Sequence, residues 1–303
     1  MKRLAVFGMG GLRILQSFFN KQSSQHLSTT KSYLKFGLYF ELVAAFFSLC
    51  YLFLEGFSAI NIATLICAGL TALTFFFELI TSLRAMKGAP LALCTMCALG
   101  GGIILPAISG IFFFDEPMSW IQWVGVAVFF ASAYFLSPHE EKKQGMGKVT
   151  VLILVCNFLI NGIISIIGKF FAVKVEGGNA ALFTCLSYGL AAVVFGIVLL
   201  AMSAKGKKQT DAEQISVSAD RLGMHKSLYI YGGAVGLVCA SIVYFSTLLS
   251  RIIPIVELNT IPNAVCLVGS LAIEVIFFKG KITAGKIIGV ILNIVSMVII
   301  VSC

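Results

Sequence analysis

Asn157, Asn161, Ser165 and Lys169 follow one another at four-residue spacing inside one long apolar run. Were that run a helix, the spacing would set all four on a single face as a polar stripe. Two amides, a hydroxyl and an ammonium so aligned can line a pathway for a polar solute or hydrogen-bond a neighbouring helix; facing lipid they would be costly. A later apolar run carries Asn259 and Asn263 on either side of Pro262, with Glu257 shortly before them. The fourth and ninth apolar runs correspond under the duplication described below. Both are weakened in the middle, by Gly100, Gly101 and Gly102 in one and by Pro262 in the other. Helix breaks at matching places free backbone groups to meet a solute, whereas the alternative is a kinked, closely packed helix. We therefore expect a substrate pathway that includes Asn157, Asn161, Lys169, Asn259, Asn263 and Tyr244, with Arg13 and Gln16 echoing the stripe in the first run.

A charge at the centre of a bilayer costs roughly 2.5 to 3.5 kcal/mol on insertion scales, so a carboxyl there marks a candidate site. Glu257 and Glu78, the latter seated in FFFELI, are expected to couple solute movement to protons by loading a proton at one face and releasing it at the other. The alternative for Glu257 is an interfacial charge that reaches water. Glu274 is expected to reach water or pair with Lys279 rather than to do chemistry. Tyr231 and Tyr244 offer rings on which a ring-shaped solute could stack, although tyrosines near the ends of apolar runs also serve as interface anchors.

Enzyme chemistry is not expected. The three histidines lie in polar segments, and the sequence has no HExxH, no GxSxG and no phosphate loop. Cys94 and Cys97 form a CxxC without a second pair or a nearby histidine, which points to helix packing and to no metal. No cofactor is expected either.

The elements that must hold these side chains follow from composition. With 59% apolar residues and 12% charged residues over 303 positions, the chain differs from a soluble domain, in which about a quarter of residues are charged. Mean hydropathy is +0.99. Apolar runs near the length of a bilayer crossing predict an all-α membrane protein of ten transmembrane helices. They are Leu4 to Phe19, Leu34 to Leu54, Ala59 to Leu83, Pro90 to Phe114, Trp120 to Leu136, Val149 to Phe171, Ala180 to Met202, Leu228 to Leu249, Pro254 to Phe278 and Ala284 to Val301. The first is the shortest, and Arg13 interrupts it. It lacks a cleavage region and is read as a retained span.

Gly69 to Ser132 aligns without a gap on Gly233 to Ser296, each residue matching the one 164 positions later. Ser82 falls on Ser246, Pro90 on Pro254 and Gly125 on Gly289. This divides the chain into a first five-helix repeat over 1–137, a connector over 138–148 reading largely PHEEKKQGMGK, and a second repeat over 149–303 with a polar loop at 203–226. Duplication inside a hydrophobic chain suits a secondary transporter, in which two similar bundles rock about a site between them. Sixteen lysines and arginines fall in loops on one side of this arrangement and five on the other. Positive charge is retained in the cytoplasm, so both termini are expected outside.

The segment GIFFFDEPMSWIQWVGVAVFFASAYFL resembles the end of the repeat in the drug/metabolite transporter superfamily, in particular its EamA-like branch. Glu116, Ser119, Gln122 and Gly125 match that pattern, as do Thr283, Lys286 and Gly289 in the second copy, where Gly280 stands in place of the glutamate. Pro90 and Pro254 suit the start of the family's fourth span. The resemblance implies two inverted five-helix repeats around a central cavity and an exporter or exchanger of small metabolites. Many relatives keep both termini in the cytoplasm, which departs from the charge count here. The expected partners are a small-molecule substrate and the lipid bilayer of the plasma (inner) membrane, with no nucleic acid. The chain itself is expected to be a monomer or homodimer. Two alternatives stand beside this: a nucleotide-sugar or other phosphorylated-metabolite exchanger, which needs basic groups in the cavity, and a non-transporting scaffold or sensor.

Overall fold

In the computed structural model, residues 2–89, 91–115, 118–136, 147–209, 226–278 and 283–302 are described. The described residues form ten helices: α1 Lys2–His26, α2 Thr30–Glu55, α3 Ile62–Gly88, α4 Leu91–Phe113, α5 Trp120–Leu136, α6 Lys148–Lys174, α7 Ala180–Gln209, α8 Lys226–Leu249, α9 Ile255–Phe278 and α10 Ala284–Ser302. Seven of them (α2, α3, α4, α6, α7, α8 and α9) have the length and apolarity to cross a membrane. Two others, α5 and α10, are shorter apolar helices. Pro90, Glu116, Lys279, Gly280, most of the connector and much of the polar loop lie outside the described residues.

Two boundaries differ from expectation. The first helix runs to His26, beyond the apolar run that ends at Phe19, because NKQSSQH continues the turn with residues that suit a polar helix end. The seventh runs to Gln209, so the polar loop begins later than residue 203.

Turn chemistry sets the helix ends. Thr29 and Ser32 form reciprocal bonds that cap α2, and Asn61 accepts from the amide of Ala63 to start α3. Gly56 closes α2 at φ 91°, a left-handed conformation that favours glycine. The Ser119 and Gln122 of the family-like segment also cap reciprocally, Ser119 N donating to Gln122 Oε1 and Gln122 N to Ser119 Oγ. Their matching to the family pattern thus has a local structural use at the start of α5. Many hydroxyls inside the bundle bond back to their own helices, as with Thr71 to Cys67 O and Thr184 to Ala180 O, whereas Ser23, Thr95 and Thr260 are buried without a hydrogen-bond partner among the described residues.

The helices pack in pairs: α2 on α7, α5 on α10, α4 on α6, α1 on α9, α3 on α6 and α7, and α8 on α1 and α2. This set is unchanged when the first five helices are exchanged for the last five. Small residues allow the closest approaches. A Cβ built on Gly101 would collide with the carbonyl of Phe158, and one on Gly162 with Leu105, which is how α4 and α6 meet. On the partner pair, α1 and α9, Gly10 and Gly269 meet Val265 and Ile14 in the same way. Phe36, Phe40, Phe75, Tyr188 and Phe195 build the largest buried cluster, between α2, α3 and α7.

The outside of the bundle is apolar: Leu54, Ile62, Leu200 and Trp120 are each more than 70% exposed. Such a surface is suited to lipid rather than to water. At one end of the bundle Lys87 Nζ donates to Leu27 O, and Gly88 lies against Thr150 at the start of α6. At the other end Asn179 Nδ2 donates to Gly56 O, and Arg251 donates to Gly178 O.

Candidate functional site

Eight helices surround a cavity of about 130 Å³, and neither α5 nor α10 contributes to its lining. From α1 come Arg13 and Gln16, from α3 Thr71 and Glu78, from α6 Asn161, Ser165 and Lys169, and from α9 Asn259 and Asn263. The polar stripe of α6 is therefore turned inward over most of its length. Asn157 lies one turn outside the lining: it is 1% exposed, and Asn161 Nδ2 donates to both its carbonyl and its side-chain oxygen. On α9, Asn259 donates back to Ile255 O, while Asn263 Nδ2 reaches Leu99 O on α4 at 3.4 Å. Asn263 Oδ1 is buried without a hydrogen-bond partner among the described residues.

The expected helix breaks take another form. Both α4 and α9 run as single helices, with Pro106 and Pro262 inside them. Gly100 and Gly101 sit against Phe130 and Phe158, where the missing side chain admits α6, and only Gly102 borders the cavity. Pro262 has no amide to offer Leu258 O one turn back, and Leu258 lines the cavity.

Tyr244 is not a lining residue; it stacks on Tyr51 at 4.6 Å and 8°. Tyr231 pairs with Phe19 instead. Glu257, half-buried one turn into α9, is also outside the lining. Glu274 pairs with Lys286 at 3.5 Å; Lys279, its expected partner, lies outside the described residues. No group of three or more metal-ligating side chains occurs among the described residues.

One residue with a strong claim was passed over in the sequence. Glu41 of α2 is 0% exposed, borders the cavity and has no hydrogen-bond partner for either carboxyl oxygen among the described residues. Its signal, an acidic residue in the apolar run LYFELVAAFF, is of the kind that singled out Glu78. Glu41, Glu78 and Arg13 border the same cavity, and Glu78 and Arg13 also border a second, smaller one.

A smaller cavity of about 60 Å³ continues from the first. Both are bordered by Arg13, Gln16, Glu78, Ala98 and Asn161, which form a common floor. The smaller one extends towards the end of α3 that carries Met86, and the larger towards the Ser250 and Lys169 end. Their linings correspond. Moved on by the repeat offset, Ser82, Met86, Cys94, Thr95 and Leu99 of the smaller cavity become Ser246, Ser250, Leu258, Asn259 and Asn263 of the larger. Under a second fixed shift that carries Lys21 onto Lys169, Ser17 and Asn20 of the smaller cavity fall on Ser165 and Gly168 of the larger. The two lysines act alike: Lys21 Nζ donates to Met86 O at 2.6 Å, and Lys169 Nζ to Ser250 O at 2.7 Å.

Comparison with known proteins adds fold alone. No family model matches the chain, and no curated protein matches it. A solved structure described only as a crystal structure of a protein is similar, with a TM-score of 0.69 at 13% identity over 97% of this chain and 96% of that one.

Proposed function

We propose that the chain is a secondary active transporter, an exporter or exchanger of a small polar metabolite in the plasma (inner) membrane, working by alternating access. The observation that carries this is the pair of cavities with a shared floor and corresponding linings, one larger and one smaller. Two inverted repeats would produce such a pair: when one half rocks against the other, the smaller cavity opens as the larger closes. The helix pairings that survive exchange of the two halves support the same reading, as does the resemblance to the EamA-like branch. A cavity bordered by Asn161, Asn259 and Asn263 suits passage of a polar solute better than a scaffold or sensor with a dry core does.

Among transported solutes, nucleotide sugars are the weaker choice. Phosphates call for several basic groups, and among the described lining residues the cations are Arg13 and Lys169, the latter already donating to backbone carbonyls. Amino acids and cationic compounds fit better. The test is counterflow into liposomes carrying the purified chain, with amino acids, organic cations and nucleotide sugars offered separately. Uptake of one class above empty liposomes is the expected result; no uptake of any class would refute the transport reading.

A further inference from the structure

We propose that Glu41, with Phe40, Phe75 and Tyr188, forms a subsite that binds the positively charged nitrogen of an organic cation. The inference deepens the transport reading above and rests on it for its physiological meaning.

The argument starts from charge. Two carboxyls, Glu41 and Glu78, and one guanidinium, Arg13, border the same cavity, and of the two carboxyls only Glu78 also borders the smaller cavity together with Arg13. Glu41 is left as a fully buried acid whose two oxygens meet no donor among the described residues. A buried charge needs a partner, and Lys169, the other basic residue of the lining, is held at the far end on Ser250 O and Ile253 O. The missing positive charge can come from the solute.

The surroundings suit that role. Phe75 stacks on Tyr188 at 4.8 Å, and Phe40 meets the same ring edge-on at 6.3 Å, so a cluster of three aromatic side chains lines the cavity together with Glu41. Ring faces attract ammonium groups, most strongly where water is excluded, and they favour alkylated nitrogens, which shed their hydration readily. A carboxylate that shares a cavity wall with three rings is a poor receptor for an anion. It can tell a cation from its uncharged isostere.

The test uses the full chain in lipid nanodiscs and titration calorimetry with methylammonium, tetramethylammonium, choline and the uncharged carbon isostere of choline. The parent should bind at least one cation about ten-fold or more tightly than the isostere. Glu41→Gln should lose about ten-fold or more of that affinity, and Glu41→Asp should recover part of it. Phe75→Leu should weaken tetramethylammonium more than methylammonium, and it carries the test alone should Glu41→Gln fail to fold. Absence of binding by all three cations, or cation binding that is indifferent to Glu41→Gln and Phe75→Leu, would overturn the proposal. Liposome flux separates it from the reading on which it rests. Cation binding without flux of any solute removes the transporter and leaves the subsite, whereas flux of uncharged solutes that ignores Glu41→Gln removes the subsite and leaves the transporter.

Discussion

Asn263 donates from Nδ2 to the carbonyl oxygen of Leu99 at 3.4 Å, and their separation of 164 positions equals the repeat offset. A position that touches its own counterpart is what an axis relating two halves would produce where it passes between them. The bond ties α4 to α9 at the edge of the cavity. It should therefore matter to motion more than to stability, because an interhelical hydrogen bond within a membrane contributes only about 0.6 kcal/mol on average. For Asn263→Ala we expect a fall of about ten-fold or more in counterflow with a melting temperature close to the parent's. Loss of stability with flux retained would assign the bond a packing role.

Gly101 makes the sharper stability prediction. A methyl group there would strike the Phe158 carbonyl, and backbone cannot move aside as a flexible side chain does. Gly101→Ala should destabilise the α4–α6 pair by about 1 to 3 kcal/mol. Gly69→Ala, at a position with open space around it, should not. Thermal melts followed by size-exclusion recovery in detergent compare the two directly.

Proton coupling should reside at the floor shared by the two cavities. Glu78 borders both, so a proton taken up from one side can be released to the other, whereas Glu257 lies outside both linings. Glu78→Gln should abolish the response of solute flux to an imposed proton gradient, and Glu257→Gln should keep it. Equal responses in both variants and the parent would point to exchange without protons.

The asymmetry of positive charge predicts which end faces the cytoplasm. Ser28, between α1 and α2, should be inside and Ala59, between α2 and α3, outside; both are exposed. In a cysteine-free background, an impermeant thiol reagent applied to intact cells should label Ala59→Cys and spare Ser28→Cys. The reverse pattern would invert the assignment and place both termini in the cytoplasm.

Helix positions were legible in the sequence because bilayer-length apolar runs depend on composition summed over about twenty residues, which local detail does not disturb. The inward face of α6 was legible for a related reason: Asn161, Ser165 and Lys169 have few favourable places other than the bundle interior. Gly100 and Gly101 misled because glycine serves close packing in membrane helices as readily as it serves a break, and only the neighbouring Phe158 tells them apart. Tyr244 misled likewise, since Tyr51, its stacking partner, is remote in sequence. The correspondence of Lys21 with Lys169 was hidden because the repeat offset does not extend to α1 and α6; the shared carbonyl bonds at Met86 and Ser250 reveal it.

The seam formed by α5 and α10 stands apart from the cavity, and it is built from the shortest helices of the chain, of 17 and 19 residues. At 1.5 Å per residue they span about 26 and 28 Å, slightly less than the roughly 30 Å of hydrocarbon in a typical bilayer. If the seam crosses the bilayer as the sequence leads one to expect, lipid around it thins or the seam sinks, and each ångström of mismatch carries a modest free-energy cost. Acyl-chain length would then act first on a pair of helices that borders neither cavity. In a transporter of the kind proposed, the thickness of the host membrane would then bias the resting balance between the two cavities, independent of what they hold.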